Sequence, residues 1–342
     1  MLEAPDKTSG RTQIERGLNM IKEIKITDMK AFKVGHAQDT EHATGCTAIL
    51  CPQGAWAGVD VRGGSPASRE TELLKPVNTV QQIHAVMLSG GSAFGLEAGD
   101  GAMQFFHEKE IGFDTGFGLV PIVCGCSLFD LNLVSNKHFP DKAMGYAACQ
   151  NAFSGEEPGQ GNVGAGTGAT IGKFRGADYI MKGGLGIYAA QIGDVQCAAI
   201  VAVNALGDVI DYDTKKILAG MLNEDKTAFA DSVKVMYEEI GKSRELWGGN
   251  TTIGCVITNA KLDKCQCNKL ASIAHNGYAQ AIRPVHSTAD GDTIYLMASG
   301  EVEVGVDALG ALVTECMGRA INRAILNAEP AYGLPAAKSF AK

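Results

Sequence analysis

Apolar residues recur with two different periods along this chain, and the C-terminal part shows the change most clearly. From Thr251 to Thr258 they alternate, with Ile253, Cys255 and Ile257 on one side, which predicts a strand. Residues 262–282 place Leu270, Ile273, Ala274 and Ala281 at helical spacing. Thr293 to Ala298 reads as a second strand. Val306 to Asn327 reads as an amphipathic helix built on Leu309, Val313, Met317, Ala320, Ile321 and Ala324. Strand–helix–strand–helix order favours a parallel strand pair joined by a helical crossover. Two such strands begin at the same edge of the sheet. Thr251 opens the first and Asp290-Gly291-Asp292 precedes the second, so a hydroxyl and two carboxylates would meet at one rim.

The earlier chain reads less sharply. Residues 21–62 are short strands ending in the alternating run Gly54 to Arg62, followed by a polar loop to about Pro76 and an apolar stretch at Ile83 to Leu88. A helix is predicted from Ala93 to Glu110, with Ser92 as its N-cap and Phe94, Ala98, Ala102 and Phe105 on one face. Leu119 to Cys124 reads as a strand, and Ala143 to Phe153 as a helix carrying Tyr146. Strands are predicted at 178–182, 186–191 and 196–203, with Asn204 to Asp208 as a hairpin turn and 224–242 as a helix or loop excursion. No repeat or Pro/Ser linker divides the chain. A single domain from residue 20 to 342 is expected, behind a polar extension at 1–19.

Composition narrows the function classes. The net charge is −8 with no block of Lys or Arg, which argues against nucleic acid and anionic membrane as partners. No apolar run approaches membrane-spanning length and no export signal is read, so a cytoplasmic location is expected. Ten cysteines include the pairs Cys124/Cys126 and Cys265/Cys267, whose spacing fits no common zinc site; free thiols in a reducing compartment are the reading. The seven histidines show neither metal spacing nor the context of a triad, and they read as core or surface residues. Forty-three glycines against ten prolines are unusual, and they cluster, which marks tight turns or close main-chain approach.

One cluster carries chemistry. In Gly248-Gly249-Asn250-Thr251-Thr252, two glycines precede a residue whose hydroxyl can attack the carbonyl before it. An N-to-O acyl shift followed by hydrolysis would give chains 1–250 and 251–342. The new terminal threonine would then hold a hydroxyl and an α-amine two bonds apart, the amine serving as general base. Taken alone, the same segment also reads as a loop entering a strand.

Five segments occur in one order: Gly90-Gly-Ser-Ala-Phe-Gly-Leu96, Val163-Gly-Ala-Gly-Thr-Gly-Ala169, Lys182-Gly-Gly-Leu-Gly186, Val203-Asn-Ala-Leu-Gly-Asp-Val209 and Asn250-Thr-Thr-Ile253. Together they resemble the DmpA-type peptidase family, which includes L-aminopeptidase/D-esterases, β-peptidyl aminopeptidases and nylon-oligomer hydrolase. The likeness runs from about residue 30 to 327. It implies an αββα sandwich of the N-terminal-nucleophile kind, matured from one precursor and assembled as a homo-oligomer of αβ units. Threonine at 251 and Asp290-Gly-Asp292 resemble the nylon-oligomer branch, whereas many members carry serine as nucleophile. Carried over, the resemblance makes Thr251 the nucleophile and Asn204 and Tyr146 donors to the oxyanion or substrate. It sets Lys182 beside the nucleophile and makes Asp290 and Asp292 groups that orient the Thr251 amine or bind a substrate ammonium.

The implied activity is hydrolysis of short peptides or amino-acid amides through an acyl-Thr251 intermediate, with no cofactor and no metal. An ornithine-type acetyltransferase and an ω-amino-acid oligomer hydrolase are the alternatives, and a scaffold that has lost activity is a third. Gly164-Ala-Gly-Thr-Gly-Ala169 lacks the strand and acidic residue of a dinucleotide site. Phe174 after Gly172-Lys173 breaks the phosphate-loop pattern.

Overall fold

The computed structural model describes residues 21–241 and 249–340; the polar segment 1–19, Lys242 and Gly248 lie outside the described residues. Ten strands join one hydrogen-bonded sheet: β1 (Lys22–Ile24), β2 (Lys33–Asp39), β3 (Thr44–Val61), β4 (Ser68–Arg69), β5 (Gln82–Ser89), β6 (Val123–Ser127), β7 (Gly184–Ile192), β8 (Val195–Asn204), β9 (Thr251–Ala260) and β10 (Thr293–Val302). Their order is β1-β7-β8-β9-β10-β3-β5-β6-β4, with β2 also on β3. The long strand β3 serves two layers. Its first half pairs with β2, its second half with β10, and the β3–β5 register shifts between Leu50 and Ala55, where Gly54 has φ of +84°.

Alternation then sorts every strand onto two faces. Ile49, Cys51, Val86 and Leu88 meet Ala198, Ile200, Ile253, Cys255, Ile257, Tyr295 and Met297 between the layers. Ala48, Leu50, Ala85 and Met87 face outward onto helices α1 (Ala98–His107) and α2 (Lys142–Ser154). Cys197, Ala199, Val201, Val256 and Leu296 face the opposite way onto α3 (Lys264–Ala281) and α4 (Val306–Leu326). The result is the αββα sandwich, helices outside and two strand layers within. No helix among the described residues is long and apolar enough to cross a membrane. All ten cysteines are free; Cys265 is exposed and the other nine are buried.

The β9–α3–β10 unit has the parallel pairing its period suggested, with Ile253 opposite Thr293. Three of these expectations fail for identifiable reasons. Asn204 to Asp208 is no hairpin: β7 and β9 already occupy both sides of β8, so Asp208–Ile210 pairs instead with Ile217–Ala219 and Ile282–Arg283. Ser92 is not a helix N-cap, because a 3-10 turn over Ser92–Glu97 precedes α1 and Gly91 caps it in the left-handed region. The threefold period of that turn rotates Phe94 out of the core, and it stacks on Phe139 at 4.8 Å. Finally, Pro121 divides the strand predicted at Leu119 to Cys124 into Leu119–Val120 and β6.

Candidate active site

Thr251 is the first residue of β9 and pairs with Asn204, the last of β8. By alternation its side chain shares a face with Ile253, at the rim of the space between the two layers. It is 4% exposed, and its hydroxyl donates to the carbonyl oxygen of Asn250, the residue before it. The same carbonyl oxygen accepts the Gly291 N–H at 3.0 Å, through a parallel bridge between Asn250 and Asp290. Gly291 must lack a side chain here: a Cβ would lie 2.8 Å from Thr251 Oγ1 and 3.2 Å from its methyl.

One residue earlier, Gly249 has φ of +128°, which L side chains rarely adopt, and a Cβ on it would meet the Phe129 ring at 2.7 Å. The Gly249 carbonyl accepts from Asn204 Nδ2 at 3.2 Å and from Lys173 Nζ at 3.0 Å. Asn204 is fully buried and held on both sides. Its Oδ1 accepts from Thr170 N–H at 2.9 Å and Lys173 Nζ at 2.6 Å, and its Nδ2 also donates to the Phe129 carbonyl at 2.9 Å.

Lys173 is a residue that sequence reasoning missed. It was read only as part of a failed phosphate loop, yet it is the cation beside Asn204 and Gly249. Burial pulls its pKa down to about 7, against the opposing charges of Asp290 and Asp130. The available signal was a lysine set among glycines and apolar residues, with no other charge between Val163 and itself.

Asp290 and Asp292 lie at this rim, 2% and 1% exposed. Asp292 Oδ1 accepts the Thr252 N–H at 2.7 Å, and its Oδ2 accepts His286 N–H and Nδ1–H at 3.0 and 2.8 Å. Asp290 Oδ2 accepts the Ser287 N–H at 2.7 Å. Burial and then the neighbouring Asp292 charge push the Asp290 pKa up, while Ser287 and Lys173 oppose the shift. A cleft of about 290 Å³ opens onto Thr251, lined also by Ser65, Ala67, Ser92, Ser127, Phe129 and Ala289. The Ser127 hydroxyl is buried and has no partner among the described residues.

Two residues expected here are elsewhere. Tyr146 sits on outer helix α2, its ring against Phe105 and its hydroxyl on Glu108 at 2.6 Å, and no contact joins it to Thr251 or Asn204. Placing it at the oxyanion required the α2 face to turn inward, but the inward positions of α2 are Ala148, Cys149 and Ala152. Lys182 is fully buried, but its ammonium is ringed by the carbonyls of Gly166, Thr167 and Ala169, which fastens the glycine-rich loop. Asp130, near both lysines, receives Gly91 N–H and the Thr44 hydroxyl, and burial raises its pKa to about 6.

Residues 25–338 match Peptidase family S58. The chain belongs to that family. It is 36% identical over 340 residues to a Mycobacterium leprae (strain TN) protein named an uncharacterized aminopeptidase, covering 91% of this chain and 92% of that one. It is 30% identical over 341 residues to the 6-aminohexanoate-oligomer endohydrolase of Agromyces sp. (strain KY5R), covering 93% and 87%. Its fold is similar to the L-aminopeptidase D-Ala-esterase/amidase of Ochrobactrum anthropi, described as a variant of the Ntn-hydrolase fold, with a TM-score of 0.64 at 18% identity over 89% and 86% of the two chains. As an S58 member the chain is a hydrolase of peptide and amide bonds.

Proposed function

We propose that this S58 hydrolase cuts itself between Asn250 and Thr251 and then uses Thr251 as an N-terminal nucleophile on substrates bearing a free amine. One observation carries the reading: the Thr251 hydroxyl lies against the carbonyl group of Asn250, while the Gly291 N–H holds that carbonyl oxygen. In self-cleavage Thr251 Oγ1 bonds to the Asn250 carbonyl carbon and its proton passes to the departing Thr251 nitrogen. Water then hydrolyses the ester, leaving the Asn250 carboxylate and a free Thr251 amine. The Gly291 N–H stabilises the charge that develops on the oxygen during the first step.

In the mature enzyme the Thr251 amine accepts the hydroxyl proton as Oγ1 attacks the substrate carbonyl. Asn204 Nδ2 and Lys173 Nζ, which grip the Gly249 carbonyl in the uncut chain, are the donors that stabilise the substrate oxyanion. Asp290 and Asp292 supply anionic charge for the Thr251 amine and for a substrate ammonium. The substrates are short peptides or amino-acid amides, and the cleaved units assemble as a homo-oligomer, a state that mass measurement in solution tests.

Oligomers of 6-aminohexanoate are a second reading, favoured by the name of the Agromyces relative and by a cleft with no charged side chain among its described lining residues. The test is hydrolysis of amino-acid p-nitroanilides, of their N-acetylated twins and of 6-aminohexanoate oligomers. Equal rates on the free and acetylated anilides would contradict recognition of the amine. Transfer of an acetyl group from N-acetylornithine to glutamate, with no hydrolysis, would contradict the hydrolase itself.

A further inference from the structure

Behind Thr251, on the face of β9 that looks toward α3, four buried polar atoms have no partner among the described residues: Thr252 Oγ1, Tyr278 OH, His275 Nδ1 and His286 Nε2. They belong to one cluster. The His275 and His286 rings lie 4.7 Å apart, and Tyr278 is 5.2 Å from the first and 5.9 Å from the second. Thr252 joins them by alternation. It shares a face of β9 with Gly254, where a Cβ would lie only 2.9 Å from the Tyr278 hydroxyl. Its own N–H is already on Asp292, the carboxylate that His286 grips from the other side.

The protons in this cluster can be assigned. His275 Nε2 faces the carbonyl oxygen of Asp60 at 3.1 Å, so that nitrogen carries the hydrogen. Burial pulls the His275 pKa down to about 4, which leaves the ring neutral and Nδ1 an acceptor. His286 Nδ1 faces Asp292 Oδ2 at 2.8 Å, and in the tautomer that donates this hydrogen from Nδ1 the free Nε2 is a second acceptor. Thr252 and Tyr278 contribute two hydroxyl donors. Two donors and two acceptors in one buried cluster match the four hydrogen bonds of a single water molecule.

We propose that these four side chains form a binding site for one ordered water, and that this hydrated cluster, through His286, fixes Asp292 against the strand that presents Thr251. Water donates to His275 Nδ1 and His286 Nε2 and accepts from Thr252 and Tyr278. His286 and Tyr278 are positioning residues: neither touches the reacting atoms, and both act through Asp292. The second half of the proposal rests on Thr251 being the nucleophile; the water site does not.

Two experiments test it. The first is a high-resolution crystal structure of the wild-type protein. Density for a water within hydrogen-bond reach of at least three of the four atoms is expected, and direct pairing of the four with no water would overturn the site. The second is Tyr278→Phe. Removing an isolated buried hydroxyl leaves stability equal or higher, whereas removing a member of a satisfied network costs stability and alignment. We expect a lower melting temperature, a roughly tenfold slower self-cleavage and a kcat reduced by a similar factor with KM little changed. Wild-type rates with an equal or higher melting temperature would overturn it. Should Tyr278→Phe fail to fold, His286→Asn and His286→Leu replace it. Asparagine keeps a donor for Asp292 and should retain more maturation than leucine; equal maturation of the two would count against the positioning role. A wild-type protein that never cleaves would contradict the Thr251 reading instead, and would leave the crystallographic result to decide the water site.

Discussion

Lys173 is pulled in opposite directions by its surroundings. Three oxygens, Asn204 O, Asn204 Oδ1 and Gly249 O, suit its three ammonium hydrogens, while burial disfavours the charge and brings its pKa down to about 7. The linkage has a definite sign. Between pH 7 and the unfolded value near 10.5 the unfolded chain holds a proton that the folded chain lacks, so raising the pH favours the folded state. Below pH 7 the difference is constant. In a Thr251→Ala background, where the chain stays single, unfolding in urea from pH 7 to 10 should therefore show Lys173 proteins gaining stability over Lys173→Met, with a slope of up to about 1.4 kcal/mol per pH unit. A parallel pair of curves would mean that Lys173 titrates normally. For Asn204→Ala, loss of the donor proposed for the oxyanion beside Thr251 should lower kcat by about 10²–10³ without unfolding the protein, checked by steady-state kinetics and circular dichroism. That Asn204 lies beside Thr251 was legible in the sequence through the family resemblance. Lys173 was not, because the family resemblance set Lys182 beside Thr251 and only the folded chain shows which of two buried lysines faces Gly249.

At the scale of elements, the site is a consequence of β9 and β10 running parallel. Their starts share an edge, which brings Gly291 N–H to the Asn250 carbonyl and Asp292 to the Thr252 N–H. Gly291→Ala should slow self-cleavage by roughly tenfold or more, since the new methyl must displace Thr251 Oγ1 from its 2.8 Å approach. Mixing time courses of the two purified precursors on denaturing gels would show it, and cleavage at the wild-type rate would remove Gly291 from the account. This unit was readable because periods of 2 and 3.6 follow one another cleanly from Thr251 to Asn327. The Asn204 to Asp208 turn was misread because hairpin chemistry is local, whereas the occupation of both edges of β8 is a property of the whole sheet. His286 escaped notice for a different reason: its partner Asp292 is close in sequence, but the pairing needs the turn that gives His286 a φ of +60°.

The molecule as a whole is held by the apolar layer between its two strand layers, and β9 contributes Ile253, Cys255 and Ile257 to it directly behind Thr251. Ile257→Ala should cost about 2–5 kcal/mol in that fully buried layer, read from denaturant midpoints in the same uncut background. The αββα architecture means that cutting before Thr251 need not release either piece, because β9 remains paired to β8 on one side and β10 on the other. Self-cleavage at that bond is the central claim. Intact mass and N-terminal sequencing of the purified wild-type protein, beside Thr251→Ala, test it most directly. The account predicts two tightly associated chains, 1–250 and 251–342, the second beginning with Thr251, and a single chain for the alanine variant. A wild-type protein that remains one uncut chain and still hydrolyses amides, or a cut at any other bond, would contradict it.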